Sequence, residues 1–280
     1  MADPAVAPVT GAATARSTGV AAILPAELDA TIVLVRHAES TWVAEHRVQG
    51  RANPPLSARG HRQAALLAAR LASPLAPPPL PVPSGSVLGC WYSTLDRAAS
   101  TAAAIGAAGG PGLELHPEER LREIGQGEWE GLTGHDVRAR FRDVRDGWLR
   151  DPVHVHAPGG ESLPEAARRA ASFASELVAL LADAKPQGGS APPADPFTGA
   201  PASPWAIVVS HEGLLRVLLL SLLGLSLDAF WRFPLGLCGI SIVEVHGGRP
   251  FLRAHNLLGH LGPIGADAPI AAGADREGSL

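Results

Sequence analysis

An arginine and a histidine stand side by side at Arg36-His37, directly after the apolar run Thr31–Val35. A neutral imidazole is a nucleophile, and a guanidinium held beside it can fork onto an anion with two parallel bonds. Two other places carry similar groups. Val87–Tyr92 leads into Ser93-Thr94 and then Arg97, and Trp205–Ser210 leads into His211. His154 and His156 lack an acidic or cysteine partner at metal-ligand spacing and read as surface histidines.

These groups share a context. Each follows a short, continuous apolar run of the kind that a parallel strand buried on both faces requires. Strands of this kind belong in an α/β sheet, and such sheets bind ligands at the carboxyl ends of their strands. If the three runs are parallel neighbours, their ends share one edge, and two histidines and two arginines converge there. Arg97 would sit in the first turn of a helix capped by Ser93-Thr94. A cation there opposes the helix dipole unless an anion lies beside it.

The segments between the runs complete a three-layer α/β/α arrangement around a mostly parallel sheet. Thr41–Pro55 reads as a polar loop. Ser57 caps a helix that buries Ala64, Leu67, Ala68 and Leu71 on one face. Residues 73–86 and 186–204 are proline-rich inserts that regular structure cannot accommodate. Residues 121–160 mix glycine, tryptophan and charge around a helical middle from Gly134 to Leu149, and read as a lid-like crossover. Ser162 and Glu165 form a capping box for the helix Ser162–Ala182, with Pro164 in its first turn. A helix Leu214–Leu222 follows His211, and a hairpin of Gly239–Val245 with Arg249–His255 closes one edge of the sheet. The expected organisation is a disordered tail over 1–30, one domain over 31–262 and a second disordered tail over 263–280.

Length and charge narrow the classes. The 280 residues suffice for one sizeable core, and a net charge of −4 offers no basic face to nucleic acid. Cys90 and Cys238 both lie in apolar runs and read as reduced core residues, which points to the cytoplasm. Residues 1–30 lack a basic n-region and a long h-region. The apolar stretch Trp205–Leu225 is interrupted by His211, Glu212 and Arg216, which argues against a membrane span.

The residues at the strand ends resemble the histidine phosphatase superfamily, also called phosphoglycerate mutase-like. LVRHAES resembles its strand-end signature, PLSARGHRQAALLAARL the segment after it, and STLDRAASTA its second-arginine motif. LREIGQGEWEGLT resembles the acid-bearing motif, SHEG the second-histidine motif, and Asn256 with His260-Leu261 fits the ending. The similarity runs in the family's order from about residue 31 to 261.

The resemblance implies that His37 attacks phosphorus and becomes a transient phosphohistidine, its pKa lowered by the two arginines. Arg36, Arg97 and His211 would hold the non-bridging oxygens, and His211 also belongs to the catalytic set. Glu123 would be the general acid. Glu128 and Glu130 compete with it, and only the L-R-E match favours Glu123. No metal or other cofactor is implied. The partner is a small phosphorylated metabolite, with no nucleic acid and no membrane, and a homodimer is left open. Val43 stands where many members have a phosphate-contacting asparagine, so Ser40, Thr41 or Gln49 would have to contact the substrate instead. Asn53 stands where aspartate is common. The short segment between Trp148 and Ser162 resembles phosphatase members more than cofactor-dependent mutases. The alternatives are such a mutase and a non-catalytic phosphate-binding scaffold.

Overall fold

The computed structural model describes residues 24–83, 87–109, 112–184 and 203–265. Of the expected disordered tails over 1–30 and 263–280, residues 1–23 and 266–280 lie outside the described residues, as do residues 84–86 of the first insert and most of the second. The described end of the first tail is ordered instead, with Leu28 buried and Ala30 opening the first strand.

Six strands form one sheet: β1 (Ala30–Arg36), β2 (Val87–Ser93), β3 (Leu115–Glu118), β4 (Trp205–Ser210), β5 (Ile240–His246) and β6 (Arg249–Leu257). Their order is β3-β2-β4-β1-β5-β6. The pairs β1/β4, β2/β4 and β2/β3 are parallel, and β1/β5 and β5/β6 are antiparallel. The helices are α1 (Thr41–Ala44), α2 (Ala58–Ala72), α3 (Asp96–Gly109), α4 (Gly134–Arg150), α5 (Leu163–Asp183) and α6 (Glu212–Leu223).

Both faces of the central strands are covered, which is why their sequences do not alternate. Ile32 and Leu34 of β1 pack with Ala206 and Val208 of β4 into the core shared with α5 and α6. Val33 and Val35, with Ile207 and Val209, pack into the opposite core against α2 and α3. This is the expected three-layer architecture. Almost all of α6 is buried, as its apolar sequence requires. Among the described residues no helix is long and apolar enough to cross a membrane.

Local signals explain most boundaries. Ser57 accepts from the Gly60 amide and starts α2, which buries Ala64, Leu67, Ala68 and Leu71 as expected. Ser162 and Glu165 close the capping box of α5. The β5–β6 turn uses Gly247 and Gly248, whose φ values of 51° and 70° suit glycine.

Two expectations about the helices need correction, and one strand was not anticipated. Thr41–Ala44 is not loop: Ser40 accepts from the Val43 amide and caps a single helical turn there. Ser93 and Thr94 do not begin α3 as its cap. The helix starts at Asp96, whose amide is taken by Asn53 Oδ1 from another loop at 2.8 Å. The short strand β3, with no continuous apolar run to announce it, was not anticipated.

Candidate active site

Sheet register brings the strand ends together. Arg36 pairs with Ser210 across β1/β4, and Tyr92 pairs with Val209 across β2/β4. His37, Ser93 and His211 therefore leave or end their strands at one level. The His37 amide donates to Ser210 O at 2.9 Å, and the His37 and His211 ring centroids lie 5.0 Å apart.

His37 is buried, and its Nδ1 lies 2.7 Å from Ala38 O. A carbonyl oxygen can only accept, so Nδ1 carries the proton and Nε2 keeps its lone pair. The imidazole pKa is held well below its usual value, first by burial and then by Arg97 and Arg36. This corrects the sequence-based account, which credited the arginines alone; desolvation is the larger cause.

Arg97 is wholly buried and donates through Nη1 to Ala52 O and through Nη2 to Gly50 O, each at 2.8 Å. Burial pulls its pKa down to about 10, so it remains a cation at neutral pH. Arg36, buried beside it, donates to Leu235 O at 2.6 Å and pairs with Glu212 at 2.5 Å. His211 Nε2 lies 2.7 Å from Ser93 Oγ, and its pKa is also lowered, by burial and then by Arg97, His37 and Arg36. Arg97 Nε and His211 Nδ1 are buried without a hydrogen-bond partner. Buried polar atoms are rarely left so, and an anion would satisfy both.

Glu123 separates itself from its neighbours. Its carboxylate is buried and accepts from the amides of Ile124 at 2.8 Å, Leu214 at 3.0 Å and Gly213 at 3.2 Å. The last two are orphan donors of the first turn of α6. Burial raises its pKa against the opposing pull of these amides and Arg97. Glu128 is exposed, and Glu130 is occupied by the amides of Arg51 and Gln126.

Ser40 and Gln49 are buried and joined, Ser40 Oγ donating to Gln49 Oε1 at 2.5 Å. Thr41 is part-buried in α1, next to Ser40. His154 is exposed and pairs with Asp151 at 2.9 Å, and His156 is exposed. Among the described residues no group of three His, Cys, Asp or Glu side chains could hold a metal ion.

Sequence reasoning missed Glu212 and Arg216, which it treated only as charges interrupting an apolar run. Glu212 bridges Arg36 and Arg216, all three buried. Their i, i+4 spacing inside a buried helix was the available signal. It also missed Ser93 as the partner of His211.

The carboxyl edge of this open α/β sheet thus gathers two buried histidines, two buried arginines and a buried carboxylate, groups with which a phosphoryl group can be bound and exchanged. The histidine phosphatase superfamily (branch 1) model matches residues 32–185 and 198–258, and the chain belongs to that family. It is 31% identical over 238 residues to phosphoserine phosphatase 1 of Hydrogenobacter thermophilus, covering 85% of this chain and 97% of that protein. It is 32% identical over 216 residues to glucosyl-3-phosphoglycerate phosphatase of Mycolicibacterium vanbaalenii, covering 77% and 84%. A mycobacterial glucosyl-3-phosphoglycerate phosphatase solved with VO3 superposes with a TM-score of 0.66 at 26% identity, over 81% of this chain and 99% of that one.

Proposed function

We propose that the chain hydrolyses small phosphomonoesters through a phosphohistidine on His37. The observation that carries this reading is the Nδ1–H to Ala38 O bond, which leaves Nε2 as an unprotonated nucleophile among fixed cations. In the first step Nε2 attacks phosphorus and the ester P–O bond breaks. Arg36, Arg97 and His211 hold the non-bridging oxygens, and the protonated Glu123 gives its proton to the departing oxygen. In the second, the Glu123 carboxylate takes a proton from water, the water oxygen attacks phosphorus, and the P–Nε2 bond breaks to release phosphate. Ser40 and Gln49, locked to each other, and Thr41 are placed in this reading near the substrate.

The relatives named above act on phosphoserine and glucosyl-3-phosphoglycerate, so phosphorylated hydroxy acids are the substrate class to test first. The buried thiols of Cys90 and Cys238 support a reducing compartment, in keeping with a cytoplasmic enzyme. Phosphate release from a panel of phosphomonoesters, with and without a bisphosphate primer, tests the reading. Multiple turnovers without primer support hydrolysis, strict dependence on primer supports a mutase, and binding without turnover supports a scaffold.

A further inference from the structure

We infer that Arg169, held by Glu161, is a positioning residue for Glu123; this rests on Glu123 being the acid proposed above. Arg169 lies two turns into α5, and its charge is among those that lower the pKa of His211. Its five N–H groups find five acceptors in two directions. Nε and Nη2 fork onto the two oxygens of Glu161, both at 2.7 Å. Nη1 donates to Arg120 O at 2.7 Å and Arg122 O at 2.5 Å, and Nη2 to Glu123 O at 3.1 Å.

Glu161 grips the same strip of chain from the other side. Its amide donates to Gly125 O at 2.8 Å, and its side chain accepts from the Gly125 amide at 3.4 Å. Arg51 adds a contact to Glu161 at 3.1 Å. Residues 120–125 are thus tied by hydrogen bonds on both sides of Glu123, whose carboxylate meets the first turn of α6. An ordinary exposed ion pair would leave most of a guanidinium's donors to water. Here both partners are largely buried and none is left over. Lysine has three donors and no fork, so it cannot reproduce the arrangement.

The test is single-turnover phosphorylation of Arg169→Lys, Glu161→Gln and Glu123→Gln with O-phosphoserine and with p-nitrophenyl phosphate. The first leaving group needs a proton and the second does not. Displacing an acid by about an ångström costs up to about 100-fold. Arg169→Lys and Glu161→Gln should therefore slow phosphoserine by roughly 10- to 100-fold. The aryl phosphate should stay within about threefold of the unsubstituted enzyme, showing that the phosphate site is intact. Adding Arg169→Lys to Glu123→Gln should produce no further slowing of phosphoserine, because the two act as one unit. Equal slowing of both substrates, or no slowing, would overturn the inference and leave Arg169 as a structural staple. So would additive losses in the double variant. A Glu123→Gln enzyme with no difference between the substrates would instead remove the acid itself, and this inference with it.

Discussion

Glu212 Oε2 lies 2.5 Å from Arg36 Nη1, with both side chains buried at the start of α6 and the end of β1. The same carboxylate reaches Arg216, whose guanidinium also lies over the rings of Phe230 and Trp231. A buried arginine needs a counter-charge, and Glu212 supplies it to Arg36, the residue proposed above to bind phosphate. Removing one partner of a buried pair costs about 3–5 kcal/mol because the other charge is left uncompensated. Glu212→Gln should therefore lower stability by about that amount in phosphate-free buffer. Inorganic phosphate should restore more of the loss than it adds to the unsubstituted protein, since the anion takes over the missing charge. Thermal melts with and without phosphate measure this. An equal phosphate effect in both proteins would show that Glu212 does not balance Arg36.

Glu123 is subject to two opposed demands. The amides of Ile124, Gly213 and Leu214 favour its carboxylate, and burial favours its acid. The balance is a raised pKa, so the protonated form extends to higher pH than for an exposed glutamate. Activity on an alkyl phosphate should then fall as pH rises through that pKa, because the donor is lost. Glu123→Gln should cut this activity by about 10²–10⁴-fold and abolish the alkaline limb. A limb that persists in Glu123→Gln would assign it to another group.

Burial of two neutral histidines has a stability consequence of definite sign. The folded-state pKa values of His37 and His211 lie well below 6.5, so below that pH the unfolded chain takes up protons that the folded chain refuses. Their contribution is complete above pH 6.5 and is lost as pH falls, at up to about 1.4 kcal/mol per pH unit for each. Glu123 runs the other way, contributing below 4.5 and losing that contribution as pH rises through its raised pKa. Urea unfolding between pH 7 and 5 should show a steeper loss for the unsubstituted protein than for His211→Gln. Parallel slopes would contradict neutral burial of His211.

The connector from α2 to β2 enters the sheet at the amino-terminal end of β2, and the candidate site lies at the opposite end. Shortening residues 74–79 should leave kcat and KM within about twofold and change stability modestly, because loop entropy varies slowly with length. A large fall in kcat without a change in Tm would place this connector at the site.

What could be read from the chain followed physical signal strength. β1 and β4 were legible because continuous apolar runs have few other uses, and α2 and α5 because serine caps and helical spacing agreed. Once those strands were parallel neighbours, the convergence of Arg36, His37, Arg97 and His211 followed from topology. β3 carries no such run, and Ser93 looked like a helix cap while its hydroxyl faces His211. Glu212 and Arg216 were hidden in a helix whose apolar content dominated the reading. Arg169 and Glu161 depend on α5 packing beside residues 120–125, a long-range contact that no local pattern announces. The L-R-E match favoured Glu123 over Glu128 and Glu130 in the sequence, and what the fold adds is that Glu123 alone of the three is buried.

The central claim is that His37 carries the phosphoryl group, and trapping that group tests it most directly. Enzyme mixed with 32P-labelled substrate and quenched within one turnover should carry label that is stable in base and labile in acid. Peptide mapping should place it on His37, and His37→Ala should stay unlabelled while melting as a folded protein. Label on a serine or a carboxylate, or turnover that survives in His37→Ala, would contradict the account.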